Sequence, residues 1–299
     1  MMRRFMAFAA ALFAAVLPAV AGGAGFEALP FLRLQRDPSA LTGGAAQVYA
    51  SKAYSVFSNP TLSVGGGGDL ALSYSRWGAS GSNGFDACGA FGLSERFSLG
   101  LGFSYGLNPA YDLFDGAGMF TPTDMIAGIG AGFRISDVFS VGANARYALS
   151  RLTEMYSYGA FSGDLFIAMD LSGFTATAGV STVGPAVRSV STGSYSLPSS
   201  ASLGLGYESV LGEALSARSQ LTVDYYFSGA LAAGFGTEAV ILDMVALRLA
   251  YNYGGESVIP SYTSAGIGLS LSGLRINAAL FLSGEDVGNS MVFSLGYSF

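Results

Sequence analysis

The chain has 299 residues, of which 51% are hydrophobic, 13% aromatic and only 11% charged, with a formal net charge of −6. Soluble domains carry about 25% charged residues, and an acidic balance with lysine only at Lys52 argues against a nucleic-acid partner. Histidine is absent and Cys88 is the only cysteine, which excludes an intrachain disulfide and thiolate metal clusters, so no cofactor or metal is expected.

The N-terminus has the layout of a secretory signal. Arg3 and Arg4 supply the positive start, Phe5 to Leu17 the apolar stretch, and Ala19-Val20-Ala21 a small-x-small cleavage site, giving a signal peptide over residues 1–21. Residues 22–64 alternate poorly. Asp37-Pro38-Ser39 is a helix-start signal, and Ser58-Asn59-Pro60 marks a turn, so this stretch predicts one or two short helices. Gly65 to Gly68 then forms a flexible link; a phosphate-cradling loop would need a following Lys-Ser/Thr and a helix, and neither is there.

From Asp69 to Phe299 the pattern changes to period two, the period of a strand whose two faces differ. Phe97, Leu99, Leu101, Phe103 and Tyr105 stand opposite Ser98, Gly100, Gly102, Ser104 and Gly106. Similar alternation begins at Leu70 and recurs near 85–94, 124–135, 138–149, 160–171, 173–183, 199–208, 215–227, 231–242, 245–254, 262–272, 273–283 and 287–299. High apolarity that is interleaved rather than continuous is what a transmembrane barrel needs, since lipid demands that every backbone group find a partner within a closed sheet. The links agree. Tight ones such as Glu95-Arg96, Ser136-Asp137 and Ser272-Gly273 alternate with long ones such as Leu107 to Thr123 and Gly184 to Pro198. The fold class expected is therefore all-β: a transmembrane antiparallel β-barrel of about 14 strands over residues 69–299.

Chemistry-like motifs are weak. Gly102-Phe103-Ser104-Tyr105-Gly106 matches a nucleophile elbow, but no histidine is available as base, and Ser104 lies mid-strand among the small inward residues. An enzyme is not expected. Charges on the inward parity form a more informative set: Asp86, Arg134, Arg146, Asp164, Asp170, Glu208, Arg218, Asp224, Glu238, Arg248 and Arg275. Toward lipid each would be costly, so their parity fixes which face is the lumen. Arg146, Asp164, Arg218, Asp224, Glu238 and Arg248 are expected to line the lumen, pairing with one another and with whatever fills it. Arginine in place of lysine favours fixed, bidentate pairing.

The last strand, Met291 to Phe299, puts Met291, Phe293, Leu295, Tyr297 and Phe299 on one face. An aromatic at the C-terminus, with another two residues earlier, resembles the terminal signature by which barrel assembly machinery reads outer-membrane proteins. A small-residue run (Gly43-Gly44-Ala45) and Phe57-Ser58-Asn59-Pro60 precede the strands, with Leu249-Ala250-Tyr251-Asn252-Tyr253 and Ala265 to Leu269 late in the chain. Together these resemble the FadL superfamily of outer-membrane proteins, and within it the PorV/PorQ branch and related spirochaetal proteins.

The resemblance implies that residues 22–64 plug the lumen, with Phe57, Asn59 and Pro60 as plug or ligand residues. Asn59 and Pro60 match the first two positions of the family's Asn-Pro-Ala; Thr61 departs from the third. It also implies outer-membrane lipid as surroundings and passive passage of hydrophobic or amphipathic small molecules. Aromatic-rich loops at Leu107 to Phe120 and Arg151 to Tyr158 would form the rim. The alternative it carries is a PorV/PorQ-like accessory that binds components of type IX secretion or surface assembly.

Overall fold

The computed structural model describes residues 27–78, 80–113, 118–189, 193–254, 260–283 and 288–299. The expected signal peptide and residues 22–26 lie outside them. In chain order the strands are β1 (Gly68–Trp77), β2 (Ser82–Gly92), β3 (Phe97–Leu107), β4 (Tyr111–Leu113), β5 (Gly118–Phe120), β6 (Thr123–Arg134), β7 (Phe139–Arg151), β8 (Ser157–Leu171) and β9 (Phe174–Val183). They continue with β10 (Val187–Ser189), β11 (Gly193–Tyr195), β12 (Ser200–Val210), β13 (Leu215–Tyr226), β14 (Leu231–Ile241), β15 (Val245–Tyr253), β16 (Tyr262–Leu271), β17 (Leu274–Ser283) and β18 (Ser290–Ser298).

Fourteen of these close into a single antiparallel barrel, each pairing with its neighbours in the order of the chain. The remaining two pairs, β4–β5 and β10–β11, are small hairpins carried by two of the long loops. Closure joins β1 to β18, with Asp69 opposite Ser298 and Arg76 opposite Met291. The expected strand count and the closing role of the last strand are both realised, because the alternation that defines a strand also defines which face it must bury.

That face is inward. Leu72, Leu101, Phe161, Leu165, Phe235 and Leu249 stand exposed on the outer surface, while Ser73, Ser104, Ser162, Asp164 and Ala250 on the opposite parity are buried. A continuous outer band of Leu, Phe, Ile and Tyr suits lipid rather than water. In β18, Phe293, Leu295 and Tyr297 point out and Val292 and Ser294 point in.

The lumen is occupied by the chain's own N-terminal segment, Glu27 to Val64. Three short 3-10 turns punctuate it: Pro30–Arg33, Lys52–Phe57 and Pro60–Ser63. The helix expected after Asp37 does not form. Asp37 instead accepts hydrogen bonds from Ser39 N (2.8 Å) and Ser39 Oγ (2.6 Å), closing a turn, and from Ser51 N (2.7 Å). A short carboxylate that captures nearby donors competes with helix nucleation, and here the tertiary partner Ser51 decides the outcome. Burial pushes this carboxyl above its usual range, against the effect of those three donors.

Space for the segment comes from the small inward residues. A Cβ on Gly102 would collide with Val56, on Gly142 with Pro60, on Gly204 with Ala46 and on Gly236 with Leu41. The segment leaves through the glycine link at the short-turn rim. Gly68 already belongs to β1, so the link is shorter than its four glycines suggest. Gly68 N donates to the Phe299 carbonyl (2.7 Å) and Phe299 N donates to the Gly68 carbonyl (2.9 Å), clasping the first and last strands together.

Candidate functional site

Five of the six expected lumen charges assemble into two groups. In the first, Arg146 on β7 and Asp164 on β8 form an ion pair of 2.5 Å, with both side chains buried. Asp164 also accepts from Thr182 N (2.7 Å) and from Asn144 Nδ2 (3.0 Å). An irregularity between β8 and β9 makes this possible: the register jumps between Gly163 and Leu165, and Thr182 takes φ 57, turning its N–H inward. Arg146 Nη1 donates to the Phe57 carbonyl at 3.2 Å, and Asn144 Nδ2 to the carbonyls of Ser55 and Ser58 at 2.9 and 3.1 Å. Polar wall side chains thus bind the carbonyls at the end of the 3-10 turn Lys52–Phe57, beside the turn's own bond from Ser58 N to the Ser55 carbonyl (3.2 Å).

The second group is a cross-strand ladder. Glu208, Arg218, Glu238 and Arg248 stand directly opposite one another on β12, β13, β14 and β15. Successive contacts of 2.9, 3.4 and 2.6 Å join them, and Arg248 continues to Asn277 on β17 at 3.1 Å. Arg218 is 37% exposed and also lies over the Tyr49 ring. The Glu208 end of the ladder is wetter and its pair contributes correspondingly less, whereas Arg248 and Glu238 are only 11% and 6% exposed. Asp224 belongs to neither group. It accepts from Ser202 Oγ (2.5 Å) and from Ala45 N (3.1 Å), fixing the small-residue run to β13.

Of the expected plug residues, Asn59 is fully buried. Its side chain accepts from Thr61 N (3.0 Å) and Thr61 Oγ1 (2.7 Å) and donates to the Gln47 carbonyl (2.7 Å), so it caps the last 3-10 turn and ties it to the middle of the segment. The Thr61 hydroxyl uses the bond that an alanine there would lack. Pro60 occupies the first position of that turn, and Phe57 packs beneath Arg36 at 5.4 Å. None of the three faces the large cavity. Their contacts lie within the segment and with its neighbours.

That cavity, of about 1080 Å³, occupies the long-loop end of the barrel. One side is the segment itself, including Leu29, Phe31 and Leu34; the other is built from β16 through β1 to β8, including Trp77, Ile126, Tyr158 and Phe281. Trp77 stacks on Phe281 at 5.9 Å and Tyr262 meets Phe281 edge-on at 5.5 Å. Its exposed wall is mostly apolar, yet Glu27, Arg33, Arg36, Asp86 and Asp124 also border it. Arg36 reaches Asp86 (3.3 Å) and Ser104 Oγ (3.2 Å), which ties Ser104 of the elbow-like motif into the cavity's inner end. The two expected rim loops meet above it, where the Tyr111 hydroxyl donates to the Leu152 carbonyl (2.6 Å) and Arg151 lies over Phe120 (5.7 Å). Below, Arg33 to Arg36 and Gly43 border a second cavity of only about 60 Å³.

Sequence reasoning missed the residues that matter most to these contacts. Gln220 is buried and spends its whole amide on the segment, accepting from Val48 N (2.9 Å) and Tyr49 N (2.7 Å) and donating to Thr42 Oγ1 (2.6 Å) and Gln47 Oε1 (2.8 Å). Asn144 and Asn252 do the same more sparingly; Asn252 accepts from Gly43 N at 2.8 Å. Their signal was present: an uncharged amide on an inward parity is as informative as a charge.

With this geometry established, comparison with known proteins places the fold. No protein-family model and no curated protein matches the sequence. Solved structures do. The chain is similar to the toluene transporter TodX of Pseudomonas putida, with TM-score 0.63 and 13% identity over 88% of this chain and 96% of that one. It is similar to the monoaromatic hydrocarbon channel CymD (TM-score 0.56, 12% identity, 82% and 92% covered). It is also similar to a FadL homologue of Pseudomonas aeruginosa (TM-score 0.52, 11% identity, 89% and 99% covered). This chain has the fold of the FadL-type outer-membrane channels.

Proposed function

We propose that the protein is an outer-membrane channel of FadL type for hydrophobic or amphipathic small molecules. It would be exported with loss of residues 1–21 and assembled by machinery that reads Met291 to Phe299. Residues 22–64 act as its plug and Gly65 to Gly68 as the link between plug and wall. The observation that carries this reading is the cavity of about 1080 Å³ at the long-loop end, slightly larger than an ordinary ligand pocket and with a mostly apolar exposed wall. The proteins with the same fold being a toluene transporter and monoaromatic hydrocarbon channels supports transport over catalysis. Nothing among the described residues favours the secretion-accessory alternative.

Passage requires the segment to yield, because the space beneath Arg33 to Arg36 is about 60 Å³. The test is uptake of a fluorescent hydrophobic probe into proteoliposomes. Gly106 lines the cavity, and a Cβ there would meet nothing nearer than 3.4 Å, so Gly106→Trp starts from open space and projects an indole into the cavity. Uptake through the natural protein should exceed that of empty liposomes, and Gly106→Trp should reduce it by about fivefold or more. Uptake no faster than through empty liposomes would overturn the proposal.

A further inference from the structure

One polar pair in the large cavity has chemistry left over. Glu27 and Arg33 both line it, and Arg33 Nη2 approaches Glu27 Oε2 at 2.9 Å. The Glu27 side chain is 5% exposed, yet neither of its oxygens has a hydrogen-bond partner among the described residues, and Arg33 Nη1 has none either. Among the described residues the other ion pair bordering the cavity, Arg36 with Asp86, is committed. Arg36 donates to the carbonyls of Leu34 and Phe31 and to Ser104, and Asp86 accepts from Ser73 Oγ at 2.8 Å. Buried polar atoms left unpaired in apolar surroundings are costly, and a site that keeps them rejects ligands unable to answer them.

The position of the pair is held from outside the cavity. Ala28 N donates to the Ser196 carbonyl at 2.8 Å, and the Arg33 guanidinium lies over the Tyr226 ring at 5.2 Å. Beyond their mutual ion pair, Glu27 Oε1 and Arg33 Nη1 are left over, and together they define a complementary group: one that donates and accepts at a single atom. A hydroxyl does so. A carboxylate offers no donor and is repelled by Glu27; a pure hydrocarbon answers neither side. The body of such a ligand must also be large. A cavity of 150 Å³ holds benzene, whereas this one is about seven times that volume.

We propose that the cavity recognises neutral amphiphiles with a hydroxyl head and an extended hydrocarbon body, the hydroxyl donating to Glu27 and accepting from Arg33 Nη1. The inference rests on the channel reading above and narrows its substrate class away from both free fatty acids and bare hydrocarbons.

The sole tryptophan, Trp77, lines the same cavity and reports its occupancy. Para-octylphenol, octylbenzene and para-octylbenzoate, each brominated at the chain end as a quencher, are titrated against the protein in lipid nanodiscs, with correction for partition into empty discs. The phenol should quench Trp77 at about tenfold lower concentration than either of the others, the ratio expected of one hydrogen bond to a charged group. Glu27→Gln is isosteric and removes the repulsion while leaving Arg33, so it should bring the benzoate to within about twofold of the phenol. Equal quenching by all three probes in the natural protein, or an unchanged order in Glu27→Gln, overturns the hydroxyl assignment and leaves the channel standing. Absence of quenching by every probe overturns both.

Discussion

At the scale of single residues, the lumen is a ledger of donors and acceptors in which wall and segment complete each other. Arg146 and Asp164 make the case most sharply, since their side chains are 1% and 0% exposed. Such a pair gains little over a hydrophobic replacement of equal volume, but losing one partner strands the other charge out of water. Asp164→Ala should therefore lower stability by about 3–5 kcal/mol, measured by urea unfolding of the refolded protein in lipid vesicles. Thr182 N and Asn144 Nδ2 lose an acceptor in the same change, which adds to the loss. Glu208→Ala, at the wetter end of the ladder, should cost clearly less. The inward charges were legible in the sequence because a two-residue period assigns parity. Their partners were not, because Phe57, Thr182 and Asn277 meet them only through the segment, a bulge and a strand two places away.

Among elements, the N-terminal segment differs from the strands in what encodes it. A strand's geometry is written in its alternation; the segment has no period, and its shape is imposed by Asn144, Gln220, Asp224 and Asn252 reaching in from the wall. That is why a helix start at Asp37 was a reasonable expectation and a turn is the result. The same reason hid the large cavity, whose walls come from strands as far apart as β1 and β17 and from Leu29 to Arg36, a stretch with no motif. The barrel's own hydrogen bonds do not pass through the segment. A protein lacking residues 27–64 should therefore still insert as a closed barrel, with its freed polar residues hydrated. Its lumen should then conduct ions in planar bilayers, in steps that the natural protein does not show. A non-conducting deletion with heat-modifiable barrel mobility would contradict this account of what fills the lumen.

For the whole molecule, the outer surface and the closure are decisive. Leu72 lies midway along β1, 60% exposed, with Leu295 of β18 as its cross-seam neighbour. An arginine at the bilayer midplane of such a barrel costs about 2–4 kcal/mol, so Leu72→Arg should reduce folding stability by that amount in vesicles of matched thickness. In a detergent micelle, whose boundary deforms readily, the loss should be smaller. Strand number, the inner and outer faces and the closing pair were all legible in the sequence, because lipid leaves only one way to satisfy a sheet of this composition. The hairpins β4–β5 and β10–β11 were not, being short and without alternation of their own.

The clasp between Gly68 and Phe299 joins these scales. A Cβ at Gly68 would run into the Phe299 ring, so this joint admits no side chain at its first position. The segment enters the wall at the same residue that the final strand must reach. Sealing the cylinder and tethering its contents therefore share one point of attachment, and a change at that residue reaches both.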